Sequence, residues 1–100
     1  MSSSVSVVDA STGATAHKAV TTAGTAVQLS AATQKLSTGL YVRALAANTG
    51  KIYVGFSSSV SASTGWELSA GETLPIEINR ADGVWIDASV SGEGVCVLMV

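Results

Sequence analysis

The chain has 100 residues, of which 12% are charged and 47% hydrophobic, with a formal net charge of −2. That length makes one domain with one modest core, and the charge content is about half the usual quarter. The five Lys and Arg residues form no basic patch, which excludes the clustered cations that a nucleic-acid partner needs.

Residues 1–18 are mostly Ser, Thr, Ala and Gly, with one short alternation at Val5 and Val7. They read as an extended N-terminal arm, poorly anchored on its own and able to pair with a neighbour. The stretch MSSSVSVVDAS has neither the cationic segment nor the long apolar stretch of a secretory signal. No apolar run approaches membrane-spanning length, so the expectation is a soluble protein made in a cytoplasm, with no membrane partner.

Residues 19–100 read as a β-sandwich domain. Strand signals recur at short intervals with turn residues between them. GTAVQLS puts Thr25, Val27 and Leu29 on one face, and GLYVRALA alternates Leu40, Val42 and Ala44 against Tyr41, Arg43 and Leu45. KIYVGF puts Ile52, Val54 and Phe56 inward, with Tyr53 and Gly55 outward. TLPIEIN aligns Leu74, Ile76 and Ile78, VWIDAS aligns Val84, Ile86 and Ala88, and GVCVLMV aligns Val95, Val97 and Met99. The segment SAATQKLS has room for a helical turn only.

The expected core is Leu40, Val42, Ile52, Val54, Phe56, Leu74, Ile76, Ile78, Val84, Ile86, Val95 and Val97. Pro75 cannot donate to a ladder, so its strand lies at an edge or begins there. Asn48-Thr49-Gly50 is expected to close a hairpin between two strands, with Asn48 or Gly50 at positive φ. The serines after Phe56 then form a loop of roughly eight residues before Trp66. About seven short strands with no sustained helical period predict an all-β fold, a small antiparallel sandwich or barrel of jelly-roll or immunoglobulin-like type.

The residues that carry chemistry are few. His17 is the only histidine and lies in the arm, with no rigid element around it to build a triad. Glu67, Glu72 and Glu77 recur at a spacing of five but fall on a loop, a turn and an edge strand, without the cleft that a carboxylate pair needs. Asp82, Asp87 and Glu93 match no calcium-loop spacing and read as turn and surface carboxylates. Cys96 is the only cysteine, which leaves no intrachain disulfide; its apolar run reads as a small buried hydrophobe. No catalytic residue, cofactor or metal site is expected, and the chain reads as a non-enzyme.

The second face of the strands is more telling. With the aliphatic residues inward, Tyr41, Tyr53, Trp85, Leu45 and Leu98 point the other way. Exposed strands favour aromatics in any case. Protein interfaces also favour Tyr and Trp and exclude charge at their centre, which makes Tyr41, Tyr53 and Trp85 candidate subunit contacts. Low charge points the same way, because a free monomer carries more for solubility.

From about Leu36 to Val100 the pattern resembles small virion proteins of tailed bacteriophages. The matching residues are Gly39-Leu40-Tyr41-Val42, AANTGKIYVG, Thr64-Gly65-Trp66, LSAGETLPIEI and VWIDASVSGEGV. The resemblance implies an all-β structural module of a virus particle, located in the virion: a capsid decoration protein, or a head-fibre, neck or tail component. It implies as partners other copies of the chain, with a trimer the first expectation, and the major capsid protein or another virion protein. A glycan- or receptor-binding module at a fibre or tail is the alternative, with Trp66 and Trp85 stacking on sugar rings. The resemblance carries no catalytic or binding residues, and the arm lies outside it.

Overall fold

Strict alternation decides the inner and outer sides of the central strands. In β3 (Leu40–Ala44) Leu40, Val42 and Ala44 are buried while Tyr41 and Arg43 are exposed. The computed structural model describes residues 14–30, 36 and 39–100. Its other strands are β1 (Ala14–Ala19), β2 (Val27–Gln28), β4 (Ile52–Gly55), β5 (Trp66–Leu68), β6 (Thr73–Ile76), β7 (Trp85–Ala88) and β8 (Gly94–Met99), with one 3-10 turn at Ala81–Gly83.

The strands form two four-stranded sheets, in the orders β1-β8-β3-β6 and β2-β7-β4-β5. Every pairing is antiparallel. The pairs are nested along the chain: β1 with β8, β2 with β7, β3 with β6 and β4 with β5. Such a ribbon folds over on itself, and the pairs β3–β8 and β4–β7 stitch each half into a sheet. Eight strands in this nested order make a jelly roll.

Between the sheets lies one apolar cluster. Leu40, Val42, Val95, Val97 and Met99 line it from one sheet, and Ile52, Val54, Leu68, Ile86 and Ala88 from the other. Fully burying each larger aliphatic side chain contributes about 1.5–3 kcal/mol against chain entropy. Val20, Leu29, Leu36, Ala81 and Val84 close the ends of the cluster. Of the expected core, Leu74 and Ile78 are only partly buried, and Phe56 is 67% exposed. Strand β4 ends at Gly55, so the inward alternation of Ile52 and Val54 stops one residue before Phe56.

Three further expectations change. Residues 14–18, read as part of the arm, belong to β1, which pairs along its whole length with β8 of the same chain. The rest of the arm and most of the possible helical turn at SAATQKLS lie outside the described residues. Strand β5 was not anticipated as a strand at all.

The hairpin at Asn48-Thr49-Gly50 is also replaced, because β3 and β4 lie in different sheets. The segment is a corner crossing between sheets, and among the described residues the glycines at positive φ are Gly24, Gly39, Gly71 and Gly92. Side chains hold this corner in place of hairpin geometry. Glu93 accepts from the Thr49 and Gly50 N–H groups at 2.6 and 2.9 Å, and the Asn48 amide donates to the Gly94 carbonyl at 2.8 Å. Pro75 does sit on an edge strand, since β6 is the outer strand of its sheet.

Candidate interaction surfaces

The outer face of the β1-β8-β3-β6 sheet follows directly from the register. One cross-strand row reads Thr15, Leu98, Tyr41, Pro75, and the next reads His17, Cys96, Arg43, Thr73. The first row is largely apolar, and Tyr41 and Leu98 are each 45% exposed. The face is concave, with a volume of about 510 Å³. Cys96 lies on this face half-buried, with Sγ 3.8 Å from the Arg43 carbonyl, and not in the core. Its apolar neighbours Val95 and Val97 point the other way. His17 is exposed on β1, a regular strand, with Cys96 opposite it.

The other sheet presents a different outer face. Glu67, Tyr53 and Asp87 form one row across β5, β4 and β7, and Gly55, Trp85 and Gln28 form the next. The loop 56–65 folds back over this face. It closes its own turn: the Ser61 carbonyl accepts from the N–H groups of Thr64 and Gly65, and the Ser61 N–H donates to the Thr64 hydroxyl at 3.0 Å. Val60, buried in the middle of this polar loop, is the plug. A Cβ on Gly55 would stand 2.7 Å from Val60 Cγ2, and one on Gly65 would stand 2.6 Å from Tyr53 Cβ. Only glycine permits this approach.

Exposed aromatics collect at the far end of the same sheet. Trp66 opens β5 opposite Val54, and Phe56 follows the end of β4, so both lie where β4 finishes and β5 starts. They are 63% and 67% exposed.

Titratable groups are dispersed and mostly committed to local structure. Arg80 and Asp82 form an ion pair at 2.6 Å, which raises the Arg80 pKa. Glu72 accepts from the Ser69 N–H at 2.6 Å and caps its turn. The backbone N–H groups of Thr49 and then Gly50 hold the Glu93 carboxyl below its ordinary value. Asp87 departs from expectation: it is not a surface carboxylate but 2% exposed. Its Oδ1 accepts from the Gly24 N–H at 2.9 Å and the Ala88 N–H at 2.8 Å. Asp82 precedes β7 while Asp87 and Glu93 flank the opposite end of that strand and its following turn. Among the described residues no group of three or more His, Cys, Asp and Glu side chains is placed to hold a metal ion.

The candidate contacts Tyr41, Tyr53 and Trp85 therefore do not share a surface. Tyr41 is on the outer face of one sheet; Tyr53 and Trp85 are on the outer face of the other. Tyr53 is 7% exposed beneath its own loop, and Trp85 is half-buried. Leu98, the direct partner of Tyr41, belongs to the surface and was legible from the alternation in GVCVLMV. Asp87 was not, because its burial depends on the 21–25 turn and the 56–65 loop, both distant in sequence. No protein-family model matches the chain, and no curated protein or solved structure matches it.

Proposed function

We propose that the chain is a structural component of a bacteriophage virion, a capsid decoration protein that binds the assembled shell as a homo-oligomer. The carrying observation is the Tyr41–Leu98 patch, a concave apolar sheet face on a chain of low charge. Such a face fits a protein whose working state is docked. The likeness of its strands and turns to small phage virion proteins supports the same reading. So, by analogy of architecture alone, does the use of jelly rolls in viral capsids. The mechanism is mass action: a ligand that binds only the assembled shell stabilises it according to concentration and affinity. Repeated display on a lattice multiplies weak contacts.

A second reading is a glycan-binding module of a head fibre or tail. The exposed pair Phe56 and Trp66 favours it, since aromatic faces offer stacking area at a loop end.

Peptide mass spectrometry on density-purified phage particles tests the proposal. Detection in numbers comparable to the major capsid protein is the expected result. A few copies per particle moves the chain to a fibre or tail, and absence from the particle overturns the virion reading.

A further inference from the structure

Tyr53 and Asp87 stand directly opposite each other in the register of β4 and β7. Both line a surface concavity of about 450 Å³, walled by the 21–25 turn on one side and the 61–63 part of the serine loop on the other. Ser89 closes it, and its hydroxyl oxygen already accepts the Lys51 N–H at 2.8 Å.

The two oxygens of Asp87 are used unequally. Oδ1 takes both backbone N–H groups, from Gly24 and from Ala88. Oδ2 takes no hydrogen bond from the described residues. Asp87 is 2% exposed, and no buried side-chain oxygen among the described residues is left without a partner, so Oδ2 keeps its access to the concavity whose wall Asp87 forms. No described cation pairs with it either; the one ion pair among the described residues is Arg80–Asp82. A carboxylate oxygen that opens on a concavity with no described cation paired to it is a ready acceptor for a cation bearing N–H donors. Serine oxygens at the rim keep lone pairs for further donors. A metal ion is the poorer match, because Asp87 has no second carboxylate, His or Cys beside it among the described residues.

We propose that this concavity is a binding site for a guanidinium or ammonium group, supplied by an arginine or lysine side chain of a partner protein. Asp87 Oδ2 accepts from the cation, and Tyr53 and the serine loop form the walls. The inference stands apart from the virion reading, since any partner presenting such a side chain satisfies it.

The test is a titration of the ¹⁵N-labelled full chain with N-acetylarginine amide, followed by amide shifts. N-acetylcitrulline amide, similar in shape but uncharged, is the control. Saturable shifts at Gly24, Asp87 and Ser89 are expected with the arginine compound, and markedly weaker ones with citrulline. Asp87→Asn keeps an acceptor oxygen for Gly24 and should weaken binding by about tenfold or more. Ala62→Trp, on the exposed rim, should block entry without touching the core, and it decides the matter if Asp87→Asn does not fold. No saturable shift, equal response to citrulline, or undiminished binding by the folded variants overturns the site.

Discussion

The Glu93 carboxylate accepts from both the backbone N–H and the hydroxyl of Thr49, at 2.6 and 2.9 Å, and so ties the β7–β8 turn to the β3–β4 corner. The bonds favour the ionised form and depress the folded pKa of Glu93 below its ordinary 4.5. A depressed carboxylate contributes stability that is full above the unfolded value and is lost as pH falls through the folded one. The melting temperature should therefore drop below pH 4.5, and Glu93→Gln should flatten that acid limb while lowering the plateau at neutral pH. Thermal melts over an acid series check this. An acid limb unchanged by the substitution removes Glu93 from the account.

The inner residues of β3, β4 and β7 were legible because alternation is a local signal, and Leu40, Val42, Ile52, Val54 and Ile86 are buried as expected. Phe56 was misplaced because alternation does not announce where a strand stops. Tyr53 faces outward as expected, but it is buried for a non-local reason: its face is covered by a loop from its own chain. Glycines at 55 and 65 around a lone Val60 in a serine run were the available trace of that cover. The corner at Asn48-Thr49-Gly50 shows the same limit, since a turn-forming sequence does not say whether its flanking strands pair with each other.

Ile86 and Phe56 separate strand interior from strand end. Ile86 is fully buried, and Ile86→Ala should cost about 2–5 kcal/mol through lost transfer energy and a residual cavity. Phe56→Ala should stay within about 0.5 kcal/mol of the parent, as exposed substitutions do. Denaturant unfolding measures both. A loss below about 0.5 kcal/mol for Ile86→Ala inverts the strand register.

Gly65 tests the loop cover. Its Cβ position is 2.6 Å from Tyr53 Cβ, 2.8 Å from Val60 Cγ2 and 3.0 Å from the Ser61 carbonyl. Gly65→Ala should destabilise by about 1–3 kcal/mol through overpacking, and the loop should become the first site of limited proteolysis. Unchanged cleavage and unchanged stability would mean that the loop has slack to move off the sheet.

Leu98 tests the docking face. Being half exposed beside Tyr41, it contributes little to the monomer, so Leu98→Glu should leave stability within about 0.5 kcal/mol. The same change places a charge at the centre of the apolar face and should abolish self-association or particle binding. Sedimentation of the purified protein and a particle pull-down read the two. Wild-type association by a folded Leu98→Glu protein assigns docking to another surface.

The N-terminal segment supplies the last test, and β1 fixes where the cut belongs. Because Ala14–Ala19 pairs with β8 in register, a deletion through Lys18 removes nearly a whole strand, uncovers the edge of β8 and takes away Ala14 and Ala16 from the flank of the core. That truncation should lower the melting temperature by more than about 5 °C. A deletion of residues 1–13 leaves every described strand in place. If the Ser-Val-Ser-Val segment serves attachment by adding backbone hydrogen bonds to a neighbour's sheet edge, the shorter deletion alone should weaken oligomerisation or particle binding. Comparing the two truncations separates loss of fold from loss of attachment. Normal binding by the folded 1–13 deletion would assign attachment entirely to the sandwich, and the Tyr41–Leu98 face would then have to carry it.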